Sequence, residues 1–333
     1  MVNKKGIFIA YSLAATILLV NLIFYFSNKL EKPLYLKTYS EVKLGKIIFD
    51  EESGTYIVDE EVLNSSDEKN KLVYRMEPIE VIAIKNSSDN EYQVLRGELP
   101  EFNNLGLKVG YYGEFDGDYN FINDETFMYS GGIEGKEFIK GNKYIERTKF
   151  ILEMPLEDEK IKDELLLKPI TKIKLVLSSK RTGELKEELI DIGEAYVIED
   201  DEKNFTNEYA TSGLNREWWN SSFYLSKREE VKAIEMKSME VLKKNYFVYV
   251  DGKEIDNIEF PLKVEDKESV EIRIKSKEKN FERIKNQRIN LIISDGKKER
   301  VESSIFTDFN DFNELTLKDI KELEKYNSKG GSV

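Results

Sequence analysis

Residues 7–26 read IFIAYSLAATILLVNLIFYF, twenty residues without a charge. At 1.5 Å per residue a helix of that length spans about 30 Å, the thickness of a bilayer's hydrocarbon core. Everything beyond it is polar, acidic and patterned like strands. The stretch divides the chain into a transmembrane anchor, residues 7–27, and a body that folds in water.

The flanks set the expected orientation. Lys4 and Lys5 precede the run, and Lys29 and Lys32 follow it with Glu31 between them. A short N-terminus with two lysines favours the cytoplasmic side. The topology expected is a cytoplasmic tail at 1–6, a single pass, and the bulk of the chain outside the cell. A cleaved signal peptide has an apolar region of about 7–15 residues and a small-residue cleavage site. This run is longer, and Ser27–Glu31 carries no such site, so the anchor is read as uncleaved.

Composition excludes more than it assigns. The 333 residues include no Cys and no His. Ser-His and Cys-His nucleophiles are therefore out of reach, as is zinc held by Cys or His. A Cys-free outer body fits a bacterial envelope of the Gram-positive type better than an animal cell surface, where disulfides are common. Net charge is −13; the first 32 residues hold four Lys and one Glu, which leaves −16 on the rest. Such a surface repels nucleic acid.

Outward from the anchor, short alternating runs recur between turn residues, as all-β folds require. Residues 28–40 read as a stalk, with Pro33 discouraging continuation of the helix. Residues 41–199 read as a first mostly-β, sandwich-like domain. Its strands are expected at Glu41–Asp50, Thr55–Val62, Leu72–Met76, Ile79–Lys85, Tyr92–Gly97, Leu107–Gly113, Tyr144–Met154, Ile173–Leu177 and Leu185–Ile192. A short helix is expected within Pro155–Leu167, and long loops within Phe115–Gly141. Residues 200–217, polar and acidic, read as a linker.

Residues 218–308 follow as a second domain. Val270, Ile272 and Ile274 alternate with Glu271, Arg273 and Lys275, and Ile289, Leu291 and Ile293 repeat the pattern. Strands at that spacing with tight polar turns fit an Ig-like β-sandwich. Residues 309–333 are expected to hold a short C-terminal helix and a disordered tail. Thr316 and Asp319 have N-cap and N3 spacing ahead of the stripe Leu317, Ile320, Leu323.

Three features bear on chemistry. Asp116, Asp118 and Asn120 match the D-x-D-x-N opening of a Ca²⁺ loop, with Asp124 close by. Phe121 and Phe127 stand where an EF-hand needs Gly and a bidentate Glu, so any bound Ca²⁺ would be structural and in another geometry. Paired carboxylates hydrolyse glycosides without His, but nothing marks one pair among 64 acidic residues. Trp218 and Trp219 are adjacent, so on a strand they face opposite ways. One is expected in the core; the other, with Tyr224, is the candidate binding face for a glycan or an envelope protein.

Lys4-Lys5-Gly6 ahead of an apolar helix resembles the start of type IV pilin-like proteins. Those are cut after a Gly and mostly carry Glu five residues on, where this chain has Tyr11. That resemblance implies a minor subunit of a surface assembly, with a helix running well past the membrane. The principal expectation is a membrane-anchored surface protein with a binding or structural role in the envelope and no evident catalysis. The alternatives are a carboxylate-dependent glycan hydrolase and the pilin-like subunit.

Overall fold

The computed structural model describes the chain apart from residues 1–3, 51–54, 58–69, 88–91, 106–107, 111–126, 140–142, 156–158, 200–212, 216–217, 227, 264–268, 278–280, 309–314 and 329–333. The apolar run forms helix α1 (Lys4–Asn28). Residues 11–28 are long and apolar enough to cross a membrane, and none of that window is buried against the rest of the protein. The helix closes where Asn28 Nδ2 donates to the Phe24 carbonyl at 2.8 Å. A pilin-like stem would continue past Ser40; this helix stops twelve residues short of it.

Beyond α1 the protein is mainly β. The first ten strands are β1 (Leu34–Asp50), β2 (Thr55–Ile57), β3 (Asn70–Met76), β4 (Ile79–Asn86), β5 (Tyr92–Glu98), β6 (Lys108–Gly110), β7 (Phe127–Ile139), β8 (Lys143–Pro155), β9 (Ile170–Ser179) and β10 (Leu185–Glu199). Helix α2 (Glu159–Leu167) sits between β8 and β9 and buries Ile161 and Leu165, the pair four apart expected to face inward. All ten strands belong to one eleven-stranded sheet.

β1 organises that sheet. It pairs in parallel with β10 over Thr38–Leu44, and antiparallel with β4 at its start and with β3 at its end. Leu34, Leu36, Val42 and Leu44 on one side of its alternation are buried. Residues 34–40 are thus strand, not stalk: the Leu34-Tyr35-Leu36-Lys37 alternation begins at once after Pro33. β4 is buried on both faces, which its nearly unbroken apolar run Val81–Ile84 permits. Ile79 and Val81 enter one core cluster with Phe150 and Ile173; Ile82 and Ile84 enter another with Leu34 and Ile145.

The second set of elements is β11 (Gly213–Asn215), β12 (Trp218–Tyr224), β13 (Glu230–Glu235), helix α3 (Met239–Asn245), β14 (Tyr246–Val250), β15 (Lys253–Glu254), β16 (Leu262–Lys263), β17 (Ser269–Ser276), β18 (Glu282–Lys285), β19 (Gln287–Ser294) and β20 (Glu299–Phe306). One sheet runs β11-β12-β17-β14-β15 and another β16-β13-β19-β20. Val270, Ile272 and Ile274 of the first share one apolar cluster with Ile289, Leu291 and Ile293 of the second. β11 lies inside the stretch expected to be linker and pairs with β12, so that end of the stretch is built into the sheet.

β18 belongs to neither of those sheets. It pairs in parallel with Lys37–Ser40 of β1 and is the eleventh strand of the first sheet. Ion pairs flank this joint: Arg288 Nε meets buried Glu41 at 2.8 Å and Lys285 Nζ meets Glu80 at 2.9 Å. Burial works against the Glu80 charge, but the Lys285 hydrogen bond and the charges of Lys285, Arg147 and Arg283 outweigh it and lower its pKa. Buried Glu282 accepts from Tyr326 Oη at 2.6 Å and from Asn245 Nδ2 at 2.7 Å.

Helix α4 (Leu317–Ser328) carries the chain back to the start of the sheet. Thr316 and Asp319 form the capping box that their spacing predicts, with Thr316 N–H donating to the Asp319 carboxylate at 2.9 Å and Asp319 N–H to Thr316 Oγ1 at 3.2 Å. Ile320 and Leu323 are buried against Leu30, Leu34 and Ile84. The exit from α1 is fastened at the same place. Asn86 accepts from Leu30 N–H and donates to the Leu30 carbonyl, both at 2.9 Å, and Lys143 donates to the Asn28 carbonyl.

Candidate functional site

Strand register decides what surrounds the two tryptophans. β12 lies between β11 and β17, and Trp219 stands opposite Leu214 and Ile274. Trp219 is 5% exposed and meets Phe306 edge-on, ring centroids 5.5 Å apart, across the apolar cluster. Trp218 turns to the other face of the sheet, as the alternation predicts, and is half-buried there.

Trp218 has company the spacing rules did not anticipate. Tyr249 of β14 tilts against it at 5.8 Å between centroids, and the Lys275 ammonium lies 5.2 Å from its ring. Phe247, two residues before Tyr249 and therefore on the same face, is 39% exposed beneath Lys277, whose ammonium lies 5.3 Å from that ring. Arg273 stands opposite Tyr249 and pairs with Glu271 at 2.8 Å. The face is an aromatic strip with cations laid over it. The signal for it was present in YFVYV (246–250), where Phe247 and Tyr249 alternate against three buried neighbours.

Tyr224 shares that face but not that strip. Six residues along a strand place it about 20 Å from Trp218. It is 53% exposed at the far end of β12. Its carbonyl accepts from Arg300 Nη2 at 3.1 Å, and Arg300 forks onto Glu229 through two contacts of 3.0 Å. The Arg300 hydrogen bond, opposed in part by burial and helped by the Ser226 backbone, holds the Glu229 carboxyl at about 2.

Asp116, Asp118, Asn120 and Asp124 lie outside the described residues. Among the described residues no group of three or more acidic side chains could hold a metal ion.

No family model and no curated protein matches the chain. Solved structures similar to it include an endo-fucoidan hydrolase of glycoside hydrolase family 107. It is 8% identical, with a TM-score of 0.17, and the match covers 56% of this chain and 24% of the hydrolase.

Proposed function

We propose that the protein is a single-pass surface protein, N-terminus inside, whose folded body lies outside the membrane and acts by binding rather than catalysis. One observation carries the anchoring: α1 stands unburied along residues 11–28, yet two residues after it Leu30 is buried in the body and hydrogen-bonded through both its backbone groups to Asn86. An apolar rod joined directly to a folded body suits a membrane helix that holds its cargo at a fixed height. The two sheets that share the Trp219 cluster are read as an Ig-like sandwich, the usual architecture of an outward-facing contact module.

The contact surface assigned is the Trp218–Tyr249–Phe247 strip, and its partner an envelope glycan or protein. Aromatic rings beside cations stack on sugars and on planar protein groups. The test is made on intact cells. External protease should remove the body while α1 stays in membranes washed with alkaline carbonate. A body protected from protease, or a chain released by carbonate, overturns the topology. Joint Trp218→Ala and Phe247→Ala substitution should lower sedimentation with purified cell walls at least tenfold at unchanged melting temperature; unaltered sedimentation removes the strip from the proposal.

A further inference from the structure

A cleft of about 310 Å³ opens beside the exit from α1. Lys32, Tyr35 and Lys37 line one side, and Glu188, Leu189 and Asp191 of β10 line the other. Its floor is fixed from within. Tyr35 Oη donates to Glu188 at 3.2 Å, and Lys37 Nζ meets Asp191 at 2.7 Å. From α4, Asn327 donates to the Tyr35 carbonyl at 3.2 Å. Burial, then the neighbouring Glu188, keeps the Tyr35 phenol protonated far above neutral pH, so it remains a donor. Lys32 is exposed and makes no ion pair or hydrogen bond among the described residues. Leu189 is 59% exposed.

The position matters as much as the lining. Lys32 is four residues past the last residue of α1, so its Cα lies within about 14 Å of the helix end. The polar headgroup layer adds about 5–8 Å to each side of the hydrocarbon core. A leucine left in water at this height gains by meeting lipid. The lining carries two cations and two anions, so a purely anionic headgroup would meet two carboxylates.

We propose that this cleft binds the headgroup of one membrane aminophospholipid, its phosphate on Lys32, its ammonium facing Glu188 and Asp191, and its glycerol end against Leu189. The proposal rests on the membrane-anchored reading above. A headgroup with N–H donors can add hydrogen bonds to carboxylates already engaged by Tyr35, by Lys37 and by the Gly193 N–H, which a quaternary ammonium cannot do. Lipid binding would then set the rotation of the body about α1, because the cleft lies to one side of the helix exit.

The test uses the full chain in detergent micelles, titrated with short-chain phosphatidylethanolamine, phosphatidylcholine or phosphatidylglycerol, with thermal unfolding as readout. Phosphatidylethanolamine should raise the melting temperature saturably, with the other two at least tenfold weaker. Lys32→Ala, at an exposed position that leaves the fold alone, should weaken that binding about tenfold, and Asp191→Asn should narrow the preference over phosphatidylcholine. Equal or tighter phosphatidylglycerol binding overturns the proposal, as does no saturable effect of any lipid. Carbonate washing of the same protein in liposomes separates the two failures. A retained chain without lipid preference loses only the cleft, whereas a released chain loses the anchor on which the cleft depends.

Discussion

Lys85 and Glu146 form an ion pair whose side chains are 6% and 4% exposed, on neighbouring strands β4 and β8 below the exit from α1. Replacing Lys85 with Met keeps most of the stem and removes the charge. Glu146 then holds a carboxylate in the interior without its ion-pair partner among the described residues. Breaking such a pair from one side costs about 3–5 kcal/mol, whereas replacing both partners by apolar or neutral groups of similar size is close to neutral. Against a total stability of about 5–15 kcal/mol the single change is large. At about 2–4 °C per kcal/mol for a body of this size it lowers the melting temperature by roughly 6–20 °C. The assay is urea unfolding followed by far-ultraviolet circular dichroism, on Lys85→Met, Glu146→Gln and the double variant. The double variant should recover most of the loss, giving a coupling energy of at least about 2 kcal/mol. A Lys85→Met cost below about 1 kcal/mol, or a double variant no better than the sum of the singles, refutes a pair shut off from water.

Other substitutions test other parts of the fold. Trp219→Ala empties a core site and should cost about 3–5 kcal/mol in urea unfolding, while Trp218→Ala on the outer face should cost about 1 kcal/mol or less. Gly193 has φ +87° and sits against β1, where an added Cβ would lie 2.5 Å from the Thr38 carbonyl oxygen. Gly193→Ala should therefore destabilise by about 1–3 kcal/mol or more, read as a lower urea midpoint. Glu229, at about 2 in the fold against the usual 4.5, contributes stability that is complete above pH 4.5 and lost as pH falls toward 2. Arg300→Met should lower stability at pH 7 by about 1 kcal/mol, leave it little changed at pH 3, and so shrink the acid limb by the same amount, as measured by unfolding at pH 7, 4 and 3.

What could be read in advance follows from period and length. Helix α1 was legible because a run of twenty uncharged residues is the pattern of a helix long and apolar enough to cross a membrane. Val270–Lys275 and Ile289–Ile293 were legible because strict alternation fixes which face is buried, and all six apolar residues lie in one cluster. Trp218 and Trp219 divided between faces for the same reason. β7 was not legible. Phe127–Ile139 holds three glycines and was expected to be loop, but its pairing with β8 shifts register between Ser130 and Ile133 and again between Ile133 and Lys136, where those glycines lie. Glycines that mark a loop in isolation mark bulges in a paired strand.

The pairing of residues 34–40 was out of reach for a deeper reason. Residues 34–40 carry an alternation, but nothing within them says that it will be paired. β4 pairs with Leu34–Leu36; from there β10, some 155 residues on, supplies one neighbour and β18, some 245 residues on, the other. Asn327 then reaches back 292 residues to the Tyr35 carbonyl. A polar stretch such as 200–217 separates folding units only when no later strand returns across it, and β18 does return. Its four residues bring Ile284 into the apolar cluster of the second body while Glu282 is hydrogen-bonded by Tyr326 of α4. Because β18 is hydrogen-bonded to β1 and buried in the other core, separating the two bodies would strip an edge from one and open the interior of the other. The first sheet and the second body are therefore coupled through β1, within the seven residues that composition marks as a tether.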